Sequence, residues 1–159
     1  MASSPMLAKL RNLARPTLSA LIRLYYVKVW GMDIGEGCVI SLQAKLDGAN
    51  PRGIHIGRDS TVAFGSAILA HDYVRQIRTD TWIGERCYIG AHCIVLAGVR
   101  IGDGSIIAAG SIVMRDIPAG CLAYGNPARV IERGIVTGKN GMLISREAGS
   151  AAVDLNKDE

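Results

Sequence analysis

Through the middle of this 159-residue chain an aliphatic residue returns at every sixth position, a spacing that few folds can use. The series reads Ile77, Ile83, Ile89, Val95, Ile101, Ile107, Val113. Four residues after each stands a small or aliphatic side chain: Thr81, Cys87, Cys93, Val99, Ser105, Ser111, Ile117. The same register occurs earlier at Ile34, Ile40 and Leu46, and again at Ile56, Val62 and Ile68. A period of six fits neither an α-helix nor a simple alternating strand. It fits a parallel β-helix of short strands and sharp corners, with one residue per hexad pointing inward. Three hexads close a triangular coil, and equivalent residues on successive coils stack about 4.8 Å apart. The expected class is an all-β solenoid. Two breaks interrupt the register: four extra residues near Asn50-Pro51-Arg52-Gly53, and three between Ile68 and Ile77.

Composition agrees. The chain has 18 Ile and 11 Val but a single Phe, with 19 Gly. Aromatic rings normally dominate globular cores; a narrow prism excludes them, and glycine serves its corners. With 49% hydrophobic and 20% charged residues, wholesale disorder is excluded. A net charge of +4 suits a polyanionic ligand or surface and is too mild to imply nucleic acid. None of Cys38, Cys87, Cys93 and Cys121 forms a C-x-x-C pair, and three fall on the small-residue position of the repeat. Small, semi-buried structural thiols in a reduced, cytoplasmic protein are expected, with no signal peptide. Arg23 and Lys28 interrupt the only apolar run that could approach a membrane span.

Some segments are more specific than the repeat itself. Ala70-His71-Asp72-Tyr73, Thr81-Trp82-Ile83-Gly84, the run Ala109 to Pro118, and Gly125-Asn126-Pro127-Ala128-Arg129 resemble the hexapeptide-repeat acyltransferases, closest to the branch that O-acetylates sugars. The resemblance covers Ile34 to Val130 and implies a left-handed winding, whereas generic crossover rules would give a right-handed one. Ala97-Gly98 stands where that family usually has Pro-Gly, and Met114-Arg115 where it often has Thr-Lys.

The resemblance implies a chemistry for particular residues. His71, at the second break, matches the family's general base, which takes a proton from the acceptor hydroxyl as it attacks the thioester of acetyl-CoA. Imidazole suits this because it titrates near neutrality. Asp72 adjoins His71 and so cannot easily orient its ring; it binds the acceptor or stabilises the loop. Tyr73 and His92 are further substrate-binding candidates. By hexad counting, His71 and His92 share one corner column on adjacent coils, although a plain exposed corner explains His92 equally well. Arg115 and Arg129 match positions that meet the phosphates of CoA, where forked guanidinium donors fit, and Met114 adjoins them. Ala91 and Ala109 match corners that hold pantetheine through the backbone. Trp82 flanks the same arm or an interface. No metal is expected: the three histidines, His55, His71 and His92, lack the spacing of the zinc-binding members of this architecture.

Three regions follow: a helical cap over 1–32, the repeat over 33–131, and a partly mobile extension over 132–159. Leu7 to Trp30 reads as one or two helices, broken or kinked near Pro16. It either caps the open prism or lies as a basic amphipathic segment on the inner membrane surface. Outward Tyr88 stacks with Ile106 and outward Ile94 with Ile112; as apolar columns they are candidates for the contacts of the homotrimer that the resemblance implies. The expected activity is acetyl transfer from acetyl-CoA to a sugar hydroxyl in surface-polysaccharide assembly. N-acetylation of an amino sugar and a non-catalytic scaffold are the alternatives. Acceptor recognition is expected in the loops around Asn50-Pro51-Arg52 and Tyr73-Val74-Arg75.

Overall fold

The computed structural model describes residues 5–146, with side chains from residue 17 onward. Short strands, two or three residues long until the five-residue Cys121–Gly125, visit three parallel sheets in turn, which gives a three-sided coil. Face I holds Asp33–Ile34, Ile54–Ile56, Thr81–Ile83 and Arg100–Ile101; face II holds Val39–Ile40, Thr61–Val62, Tyr88–Ile89, Ile106–Ile107 and Cys121–Gly125; face III holds Lys45–Leu46, Ala67–Ile68, Ile94–Val95 and Ile112–Val113. The hexad residues form three buried columns. Ile34, Ile56, Ile83 and Ile101 pair in register on face I; Ile40, Val62, Ile89, Ile107 and Ala123 on face II; Leu46, Ile68, Val95 and Val113 on face III. Full burial of each such side chain contributes roughly 1.5–3 kcal/mol, so many small residues replace a few large rings.

A second set of side chains ties the coils together. Ser60 Oγ donates to the Gly84 carbonyl at 2.8 Å, and Ser66 Oγ to that of Gly90 at 2.7 Å. Cys38, Cys87 and Cys93 direct their thiols at the carbonyls of Gly57, Gly102 and Ala108 in the same way. All four cysteines, including Cys121, occupy this position, and all are free and buried. Burial pushes the Cys87 thiol up to about 11. A thiol reagent such as DTNB is therefore expected to titrate none of the four rapidly in the native protein and all of them in denaturant. Fast native labelling of even one would contradict this burial.

Glycine does more than turn corners. Gly90 follows an inward residue and has an ordinary φ, but a Cβ there would stand 2.6 Å from the Ala109 nitrogen of the next coil. Its role is close approach. Gly110, at a corner with φ 74°, meets the conformational need expected from the sequence.

The first break adds four residues, as the register of Ile34 with Ile56 requires. The second is larger than the hexad count suggested. Ile68 pairs with Val95, 27 positions on, whereas uninterrupted coils such as Val95 to Val113 advance by 18. The insertion thus holds nine residues rather than three. It forms an antiparallel hairpin, His71–Asp72 against Ile77–Arg78, that leaves the prism at the corner between faces III and I. Ile77 is exposed on this hairpin and is not an inward residue. A chain that leaves and rejoins the coil can fall on a hexad position by coincidence of length.

A single helix, α1 (Pro5–Val29), precedes the coil. Pro16 does not divide it as expected. Proline removes one donor, but the Leu-, Ala- and Arg-rich sequence around it favours helix strongly enough to continue. Gly31, at φ 69°, ends it, and the Met32 N–H bonds to the Tyr26 carbonyl. Ile22, Tyr26 and Val27 pack on the core, while the Arg23 Nε–H is shared between the carbonyls of Ile34 and Gly35 at 2.9 and 2.7 Å. The helix therefore caps the first coil.

At the other end, Ala128–Arg133 folds back antiparallel on Cys121–Gly125. Ile135–Thr137 and Leu143–Arg146 then form a hairpin whose connecting turn lies on the outside of face II. Thr61 Oγ1 donates to the Asn140 carbonyl at 3.1 Å, and Gly141 lies directly against Cys87 and Tyr88. The Tyr88 column is thus partly covered by the chain's own extension, a short-range solution that the hexad pattern does not reveal. The rest of the expected mobile segment, beyond residue 146, lies outside the described residues.

Candidate active site

The corner between faces III and I carries both insertions, one on each of the first two coils. Asp47 directly follows the inward Leu46; His71 opens the hairpin one coil later. Asp47 is 7% exposed and fully engaged. Its Oδ1 accepts the Ala49 N–H at 2.8 Å, and its Oδ2 accepts the Ala70 N–H at 2.8 Å. The same Oδ2 lies 2.5 Å from His71 Nδ1. Burial acts to raise the carboxyl's pKa; the His71 hydrogen bond, followed by the two backbone N–H groups, outweighs it and holds Asp47 below its ordinary value. An ionised carboxylate can only accept, so Nδ1 must carry the proton. In neutral His71, Nε2 then keeps its lone pair and can take a proton. The His71 side chain is about one-third exposed, which leaves that nitrogen accessible to a substrate.

Asn50 anchors the hairpin. Its Nδ2 donates to the Ala70 carbonyl at 2.9 Å and to the Thr79 carbonyl at 3.2 Å, joining the two ends of the excursion. Asp72 Oδ1 accepts from the Val74 and Arg75 N–H groups at 3.0 and 3.1 Å, an Asx turn that shapes the tip. Of the two roles read for Asp72, stabilising the loop is the one its contacts support. Tyr73 and Val74 project from this tip almost wholly exposed.

Sequence reasoning missed Asp47. The signal was available: with four residues added to a coil of 18, Asp47 falls beneath Leu69, two positions before His71.

His92 is not in the column of His71. Nine inserted residues, not three, separate the two coils, and His92 lies over Gly65 at the corner between faces II and III. It has φ 57° and meets Phe64 edge-on at 5.1 Å.

The remaining residues divide between the same two corners. Met114 and Arg115 follow the last strand of face III, at the corner of His71 and two strand steps (about 10 Å) above it. Ala91 and Ala109 share the corner of His92, and Arg129 begins the return strand near its upper end. Both groups flank face III. Arg115 and Arg129 are exposed and form no ion pair among the described residues, so both can receive an anion.

Trp82 is elsewhere, on the outside of face I. Its ring is stacked on His55 at 3.7 Å, with the Arg100 guanidinium over it at 5.3 Å. Neighbouring coils thus cover both faces of the ring, and only its edge could flank a ligand. A groove of about 400 Å³ runs beside it, lined by Trp82, Arg100, Asp116 and Pro118. Among the described residues, no group of three or more His, Cys, Asp or Glu could hold a metal ion.

Residues 80–115 match the bacterial transferase hexapeptide (six repeats) family. That stretch runs from the strand Thr81–Ile83 to the strand Ile112–Val113. YvoF of Bacillus subtilis, which carries an acetyltransferase name, is 35% identical over 102 residues, 63% of this chain and 59% of that protein. The 2,3,4,5-tetrahydropyridine-2,6-dicarboxylate N-acetyltransferase of Clostridium perfringens is 37% identical over 79 residues, 50% of this chain and 30% of the enzyme. The hexapeptide-repeat chain thus spans less than two-thirds of these relatives. Among solved structures, a maltose O-acetyltransferase from Clostridium difficile superposes with a TM-score of 0.52 at 25% identity, covering 64% of this chain and 68% of that one. The acetyltransferase VCA0836 of Vibrio cholerae, in complex with acetyl coenzyme A, does so with 0.53 at 19% identity, covering 81% and 89%. At that identity the likeness concerns the fold.

Proposed function

We propose that this protein is an acetyl-CoA-dependent acetyltransferase that acts on a sugar hydroxyl, with His71 as general base. The observation that carries this reading is the contact of His71 Nδ1 with the buried carboxylate of Asp47. Nε2 of His71 takes the proton of the acceptor hydroxyl as its oxygen attacks the thioester carbonyl. The tetrahedral adduct, held by backbone N–H groups, collapses with loss of the CoA thiolate, and the imidazolium returns the proton to that thiolate. Arg115 and Arg129 receive the phosphates of CoA, with Ala91, Ala109 and Met114 beside the pantetheine. Tyr73 on the hairpin tip contacts the acceptor.

The winding is left-handed and the chain assembles as a homotrimer. Ile94 and Ile112 on face III supply the contact, because the C-terminal hairpin already takes part of the Tyr88 column. Surface-polysaccharide assembly is the setting we favour. An amine acceptor is the second reading, favoured by the similarity to an N-acetyltransferase.

Thiol release from acetyl-CoA, measured against free sugars, nucleotide sugars and amino sugars, tests the whole reading; no release with any acceptor would leave a scaffold. Arg115→Ala and Arg129→Ala are expected to raise KM for acetyl-CoA roughly tenfold while leaving kcat close to the native value, since an ionic hydrogen bond is worth about 1.5–3 kcal/mol. Whichever arginine meets the 3′-phosphate should lose this effect with 3′-dephospho-acetyl-CoA. Equal effects of both variants on the two cofactors would remove the 3′-phosphate assignment.

A further inference from the structure

Capping the prism uses only one side of α1. Ile22, Arg23, Tyr26 and Val27 are turned to the coil. On another side Leu18, Leu21, Tyr25 and Val29 are 45%, 58%, 50% and 68% exposed, and their spacing of three, four and four residues makes them one stripe. The sequence leads into Leu18 with the same spacing, at Leu7, Leu10 and Ala14. The exposed stripe from Leu18 to Val29, on a helix already docked by its other side, needs a second surface.

Charge indicates which surface. Residues 1–32 contain Lys9, Arg11, Arg15, Arg23 and Lys28 and no Asp or Glu. The remaining residues carry 13 basic and 14 acidic side chains, so the chain's whole net charge of +4 comes from this segment. A second copy of the helix would bring like charges together, whereas an anionic surface with an apolar interior would satisfy both features. Among the described residues no helix is long and apolar enough to cross a membrane, so the helix would lie in the interface plane. Tyr25 and Trp30, both exposed, are side chains suited to that depth.

We infer that the outward stripe of α1 docks the protein on an anionic lipid bilayer while its other side caps the β-helix. The cap and the anchor are then two sides of one element.

Co-sedimentation of the full chain with vesicles tests this. Vesicles of phosphatidylcholine mixed with phosphatidylglycerol should bind it, vesicles of phosphatidylcholine alone should not, and high salt should release it. Leu21→Glu with Tyr25→Glu should weaken binding roughly tenfold or more, with circular dichroism and melting confirming the fold. Should that variant not fold, Lys28→Glu leaves the stripe untouched and should still weaken binding about fivefold or more. Equal binding to both vesicle types, or to neither, overturns the inference. So does unchanged vesicle binding by the double variant; a drop in its oligomeric state by sedimentation velocity would then assign the stripe to a second copy.

Discussion

His71→Ala is expected to lose about 10²- to 10⁴-fold in turnover, the range that a positioned general base contributes. Affinity for acetyl-CoA should stay close to native, because the arginines that would meet its phosphates lie at the upper coils and the far corner. His92→Ala should cost far less, since His92 stands at the other corner, over Gly65. Steady-state kinetics of both variants, with kcat and KM resolved, would check both points. If His71→Ala keeps most of its activity, or His92→Ala is the more damaging, the mechanism fails while the fold stands.

Asp47→Asn should lower turnover about a hundredfold or more with little change in KM. Asp47 uses two oxygens, Oδ1 for the Ala49 N–H and Oδ2 for the Ala70 N–H and His71 Nδ1. Asparagine has one. If its NH₂ group faces His71, the ring must accept at Nδ1 and hold its proton on Nε2, which abolishes the base. If it faces Ala49, that part-buried N–H loses its acceptor, at about 0.5–1.5 kcal/mol.

Asp47 should also leave a signature in stability. Its folded pKa lies below the ordinary carboxylate value, so the unfolded state binds its proton first. The stabilisation is fully present above that ordinary value, near pH 4, and is lost as pH falls through the depressed folded value. Urea unfolding of native and Asp47→Asn chains should therefore show a gap at neutral pH that closes in acid. A gap that persists unchanged at the lowest pH would separate it from Asp47 ionisation. Unchanged turnover in Asp47→Asn would make the contact structural only.

The class of fold was legible because it follows from a period, and a period needs no knowledge of distant contacts. Ile83, Ile89, Val95, Ile101, Ile107 and Val113 stand inward as the spacing of six requires, and the small residues between them leave no room for rings. His71 was legible as a candidate through its motif. The two corners were not. Their positions depend on the length of an insertion, and Ile77 fell on the hexad series without belonging to it.

Local spacing, repeated through the chain, was enough to specify the prism: its inward columns and the first insertion. Which side chains meet where the repeat is interrupted became visible only in the folded chain. There the hairpin returns to the coil after nine added residues, placing His71 on Asp47 and separating it from His92. The fold likewise gives α1 one packed side and one free one, and lays the C-terminal hairpin over Tyr88. Each depends on where a segment leaves and rejoins the coil. Periodicity fixes the contacts between equivalent residues; contacts between inequivalent ones depend on the path of the chain.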